Sequence, residues 1–246
     1  MLFVQAIQWI LDPEHWAEVN FQAGIAEELG AHLWLTLLAL VFTAAIALPI
    51  GLYIGHTGRG RGFAVVLANV ARAVPTLGLL AVLLVIWLAL PPTVFVFVLL
   101  GVPPLLAGAY AGLESIDRQT VDASRAVGMT EWQILLRVEL PLAAPLILGG
   151  LRSATLQIIA SVTLVSNFGI NSLGDFILGG LAANDYVQMT AGAILVTVLA
   201  LFVDGLLAVL QRVAAPRGVS RGRGSSTARG RRVPVTPTGA PVSEGN

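Results

Sequence analysis

Residues 122–141 read D-A-S-R-A-V-G-M-T-E-W-Q-I-L-L-R-V-E-L-P, a polar stretch between two long apolar runs. It parses as two short helices around a glycine. Asp117 is placed to cap the first, its carboxylate accepting from a free amide of the opening turn. Gly128 suits the left-handed position that ends a helix. Thr130-Glu131-Trp132-Gln133 has capping-box spacing, with the hydroxyl at the cap and an amide three residues on. Ile134, Leu135, Leu136 and Val138 follow, and Pro141 is expected to reset the chain before the next apolar run. A helix–glycine–helix hung between apolar spans reads as a docking element.

The composition around it is that of a membrane protein. Of 246 residues, 56% are hydrophobic and only 11% charged, and mean hydropathy is +0.83. A soluble domain carries about 25% charged residues, so the deficit points to lipid as solvent. There is no cysteine for disulfides or thiolate metal sites. The histidines His15, His32 and His56 are scattered and suggest no metal site. The carboxylate-rich start, with Asp12, Glu14, Glu18, Glu27 and Glu28, lacks the basic n-region of a signal peptide.

Hydropathy predicts an all-α, polytopic chain with about five transmembrane helices, near 32–54, 63–89, 93–112, 142–165 and 189–211. About 20 apolar residues cross the hydrocarbon core. Residues 1–30 are expected to form a periplasmic or interfacial segment anchored by tryptophan. The transmembrane domain is expected over 31–213, with the docking loop at 113–141. Residues 214–246, rich in Arg, Gly, Ser, Thr and Pro, are expected to be a disordered tail. All 14 basic residues are arginines, and 12 lie in the loops 55–62 and 113–141 or in the tail. Counting crossings by the positive-inside rule puts those segments in the cytoplasm and the amino terminus outside.

The 122–141 stretch resembles the cytoplasmic "EAA" loop of bacterial ABC importer permeases, E-A-A, three residues, G, nine residues, I-x-L-P. Ala123, Gly128, Leu140 and Pro141 stand at the family spacing, while Asp122 replaces Glu, Ser124 replaces Ala and Val138 replaces Ile. From the first span to Pro216 the chain also resembles osmoprotectant permeases for glycine betaine, carnitine or choline. That likeness is carried by A-V-P-T-L-G-L-L (73–80), G-V-P-P-L-L-A-G-A-Y-A-G-L (101–113), G-L-R-S-A-T (150–155), L-G-D-F-I (173–177) and D-G-L-L (204–207). Methionine-type permeases, the alternative, share the fold and the loop.

The resemblance implies a type I ABC importer permease in the bacterial cytoplasmic membrane, with a coupling loop made by Asp122, Ala123, Ser124, Gly128, Val138, Leu140 and Pro141. It implies three partners: an ATP-binding subunit, a second permease copy or paralogue, and an extracytoplasmic substrate-binding protein. No G-x-x-x-x-G-K-[ST] motif occurs, and there is no lysine to complete one. ATP and Mg are therefore expected on the partner, with no cofactor, catalytic residue or metal in this chain. A secondary transporter would usually show an inverted repeat, and a membrane enzyme a nucleophile–base constellation; neither pattern is evident. A role in nucleic-acid binding is not expected.

Three ionisable residues fall within the expected spans: Arg72, Arg152 and Asp204. Charges at depth pair with one another or line a cavity. Arg152 with Asp204 is the preferred pair, and Arg72 the alternative partner. Quaternary ammonium groups favour aromatic cages, but the outer-loop aromatics Phe168, Phe176 and Tyr186 are too few and too spread to make one.

Overall fold

The computed structural model describes residues 1–17, 23–62, 66, 75–86 and 90–214. Among these, regular structure is entirely helical: α1 (Leu2–Leu11), α2 (Ile25–Thr57), α3 (Thr76–Ile86), α4 (Leu90–Glu114), α5 (Arg118–Ala126), α6 (Glu131–Ile134), α7 (Leu140–Val162), α8 (Gly174–Ala183) and α9 (Tyr186–Ala214). Four stretches are long and apolar enough to cross a membrane, Ile25–Thr57, Thr93–Glu114, Glu131–Phe168 and Tyr186–Ala214. The expected span at 63–89 lies mostly outside the described residues, which retain α3 of it. Arg72 and the expected tail beyond Ala214 also lie outside them.

Three elements depart from the sequence reading. The first span begins at Ile25, well before residue 32, because Glu27 and Glu28 fall in its opening turn, where carboxylates complement the helix dipole. Residues 1–30 therefore contain the start of a span. Pro141 does not reset the chain either. A π-helical turn, Leu135–Glu139, joins α6 to α7, with the Leu140 amide donating to the Leu135 carbonyl. Pro141 then sits in the opening turn of α7, where a proline's missing N–H costs nothing. The 166–188 loop, finally, holds a helix of its own, α8, ended by Asn184 in the left-handed conformation.

The core is built on α4, which packs against α2 and α7. Small residues permit close approach: a Cβ on Gly108 would lie 2.7 Å from the Cα of Gly150, so α4 and α7 touch through their backbones. Close small-residue contact replaces the hydrophobic effect as the cohesive term in lipid, where apolar side chains gain nothing by leaving the solvent. One apolar layer joins Leu35, Ala39, Leu80, Val96, Phe97, Ile158 and Val162. Another joins Ala47, Ile54, Leu105, Leu106 and Ala154. The outward faces of α2 and α9 are apolar as well, with Trp34, Phe42, Leu201 and Phe202 exposed. An apolar exterior around a small-residue core is the pattern of a helix bundle solvated by lipid.

α1 is more than a surface anchor. It packs on α9, its Ala6 is fully buried, and Trp9 joins a cluster with Ile25, Ile159, Leu173, Phe176 and Leu199.

Candidate functional site

The polar hairpin at one end of the bundle is locked by its own side chains. Asp117 accepts from the Gln119 amide at 2.9 Å and caps α5. At the other end of α5, the Met129 amide donates to the Ser124 carbonyl and the Gly128 amide to that of Arg125, at 3.2 and 2.9 Å. This is the Schellman pattern, and it requires the positive φ of +86° that Gly128 adopts. Thr130 and Gln133 form the reciprocal capping box that opens α6.

Charges then bind the two short helices together. Arg125 donates through Nε and Nη2 to both oxygens of Glu131, at 2.9 and 3.1 Å, and through Nη1 to Asp122 at 3.1 Å. The Glu131 carboxylate holds the Arg125 guanidinium above its ordinary pKa range. Ser124 Oγ donates to the Thr120 carbonyl. Asp122, Ala123, Gly128 and Pro141 are exposed, while Ser124, Val138 and Leu140 are half-buried. Val121 and Ile134 are buried, Leu135 and Leu140 pack on the cluster of Ala109, Leu113, Ala143 and Ile147, and Val127 and Trp132 face outward, 78% and 73% exposed.

A clamp absent from the sequence reading fastens this hairpin to the first span. His56, at the end of α2, sets Nδ1 2.5 Å from Glu139 Oε2 and Nε2 3.2 Å from Glu131 Oε2. Glu139 is 5% exposed, so this contact is its compensation for burial. Nearby, Arg61 donates to Glu114 at 2.6 Å. His56 and Glu139 stand 83 residues apart, and no local spacing rule joins residues so distant.

Arg152 and Asp204 meet within the bundle. Arg152 Nε and Nη2 donate to the two Asp204 oxygens at 2.9 and 2.7 Å, the bidentate fork that suits guanidinium and carboxylate. Arg152 Nη1 also donates to Gln211 Oε1 at 3.0 Å, and Gln211 Nε2 donates to the Pro145 carbonyl at 2.6 Å. Gln211 was not expected from the sequence. The network ties α7 to α9 at two levels, with Asp204 and Gln211 about two turns apart on one face of α9. Arg72, the alternative partner, lies outside the described residues.

Four membrane-length helices packed as one bundle, with a capped, charge-locked polar hairpin between two of them, define a polytopic membrane protein. The chain belongs to the family of binding-protein-dependent transport system inner membrane components, whose profile matches residues 47–216. Its curated relatives include the glycine betaine/carnitine/choline transport system permease protein OpuCB of Bacillus subtilis. That protein is 31% identical over 191 residues, covering 77% of this chain and 88% of the relative. The choline transport system permease protein OpuBD of Bacillus subtilis is 35% identical over 195 residues, 78% of this chain and 86% of that one. The osmoprotectant import permease protein OsmY of Salmonella typhimurium is 32% identical over 192 residues, 76% and 81% respectively. Among solved structures, an inward-facing form of the MetNI methionine ABC transporter aligns with a TM-score of 0.67 at 20% identity, covering 78% of this chain and 96% of the other. At that identity the likeness is one of fold. The chain is thus an integral, multi-pass membrane transport subunit with the fold of ABC importer permeases.

Proposed function

We propose that the chain forms half of the translocation pathway of an ATP-driven importer for an osmoprotectant such as glycine betaine, carnitine or choline. Support for the solute class comes from curated relatives that share about a third of their residues with this chain over most of its length. The methionine reading has weaker support, because it rests on fold likeness at 20% identity. ATP and Mg would bind a separate ATP-binding subunit docked on the hairpin of Asp122, Ala123, Ser124, Gly128, Val138, Leu140 and Pro141. A second permease, identical or paralogous, would complete the pathway, and an extracytoplasmic binding protein would deliver the solute.

The observation that carries the coupling role is the locked hairpin with Val127 and Trp132 facing outward. A surface that transmits force between subunits must hold its shape, and the caps and the Arg125–Glu131 fork supply that stiffness. The test is Gly128→Val in the assembled importer. A Cβ at Gly128 meets open space, so the whole cost is backbone strain, which for a β-branched residue at positive φ is prohibitive in place. Uptake should fall at least tenfold while ATP hydrolysis and membrane insertion persist. Gly128→Asn, which tolerates the left-handed region, should keep most uptake. Equal uptake by the glycine and valine forms would overturn the assignment.

A further inference from the structure

At the end of α2 opposite the hairpin lies an open cavity of about 540 Å³, within the size range of small-molecule sites. Its wall carries the carboxylates of Glu14, Glu28, Asp175 and Asp185 and the rings of Trp9 and Phe176. No arginine lines it among the described residues. α1, the start of α2, α8 and the start of α9 meet here, so the site draws on residues ahead of the matched family stretch, 47–216.

Two of the carboxylates have structural work. Asp175 Oδ2 accepts from the Ser172 amide at 3.0 Å, and Asp185 Oδ1 accepts from the amides of Val187 and Gln188 at 2.9 and 3.1 Å. Asp185 caps α9, and Asp175, in the first turn of α8, ties that helix back to the turn before it. Glu28 is different. It is 4% exposed, its Oε2 has no hydrogen-bond partner, and its charged neighbours Asp175 and Glu27 have its own sign, the Ser172 backbone being the one contact that favours its charge. A buried carboxylate in such company lacks a counter-charge.

The aromatic faces complete the site. Trp9 stacks on His15 with centroids 3.9 Å apart and meets Phe176 edge-on at 5.4 Å. His15 Nδ1 donates to the Trp9 carbonyl at 2.8 Å and fixes the ring pair. The fold therefore brings Trp9 to Phe176, a pairing that the spread of outer-loop aromatics conceals in the sequence. Aromatic faces beside an uncompensated carboxylate attract a poorly hydrated organic cation by cation–π and Coulomb terms together.

We infer that the cavity lined by Glu28, Asp175, Trp9 and Phe176 is a subsite for a quaternary ammonium cation without a carboxylate of its own, of which choline is the type. Glycine betaine and carnitine carry a carboxylate that would meet like charges at Glu14 and Asp185. The site thereby ranks the three solutes of the proposed permease, and its tie to uptake rests on that reading.

The test is titration calorimetry on the full chain in lipid nanodiscs, with choline, tetramethylammonium and glycine betaine as probes. Choline and tetramethylammonium should bind at least tenfold more tightly than glycine betaine. Glu28→Gln, nearly isosteric, should weaken choline at least tenfold, and Trp9→Leu should weaken it severalfold. Absence of choline binding, equal affinity for choline and glycine betaine, or unchanged affinity in folded Glu28→Gln would each overturn the subsite. Should Glu28→Gln not fold, the wild-type rank order decides. Uptake by the reconstituted importer is scored separately. Uptake of quaternary amines without binding here sinks the subsite and leaves the permease reading intact, whereas binding here without any uptake sinks the osmoprotectant reading.

Discussion

At Arg152 a guanidinium uses Nε, Nη1 and Nη2 on Asp204 and Gln211. The pair was legible in the sequence because ionisable residues within apolar runs are so scarce that their partners can be enumerated. Gln211 was not, since a neutral amide near a helix end has many uses. The side chains are 30% and 27% exposed, and truncating one partner leaves the other without its counter-charge between apolar spans. Arg152→Ala and Asp204→Ala should each lower folded yield, and the double variant should recover much of it, so that the two losses are not additive. Melting of the purified single and double variants measures this. Additive losses would show that the fork is not cohesive, and uptake lost at normal yield would assign it to the pathway. The His56 clamp calls for a different test. His56→Ala leaves Glu139 buried without its partner, at a cost of about 3 kcal/mol. His56→Gln keeps a donor and should retain most of the melting temperature. Equal melting of the alanine and glutamine forms would show that the contact with Glu139 contributes nothing.

At the scale of elements, local chemistry was the readable part. The Asp117 cap, the Gly128 turn and the Thr130–Gln133 box each involve partners within five residues, so spacing alone reveals them. Pro141 was misleading because a proline ordinarily ends a helix by removing an amide donor. The π turn before it shifts the hydrogen-bond register by one residue, so the proline opens α7 instead of interrupting it. One mechanical consequence follows. Because α6 runs through that turn into α7 without a loop, displacement of the hairpin is passed directly to a span that crosses α4 at Gly108 and Gly150. Leu146 and Pro104 crowd the same crossing: a Cβ on Gly108 would lie 2.8 Å from the Leu146 carbonyl, and one on Gly150 the same distance from that of Pro104. The small-residue crossing lets α7 and α4 lie backbone to backbone.

For the whole molecule, four of the five expected spans were readable from hydropathy in their order, the one at 63–89 lying mostly outside the described residues, while the depth of the span ends was not readable. The first span runs seven residues earlier than apolar character alone suggests, because carboxylates at a helix start are compatible with the helix. Side of insertion is a separate property, argued from arginines: Arg118, Arg125 and Arg137 belong to the hairpin segment, and the segment 166–188 across α7 has none. Arginine-bearing loops are retained in the cytoplasm, so these two segments should lie on opposite faces of the membrane. The chain has no cysteine, which makes the test free of background. Val127→Cys places a thiol at the exposed tip of the hairpin, and Asn171→Cys places one on the exposed turn before α8. A membrane-impermeant maleimide applied to intact cells, or to spheroplasts where an outer membrane intervenes, should label Asn171→Cys fully. It should reach Val127→Cys only after the membrane is opened, with the proposed ATP-binding subunit absent so that its docking would not mask the thiol. The reverse pattern would invert the topology and remove the hairpin from the compartment where ATP is hydrolysed. Labelling of both from outside would mean that α7 does not cross.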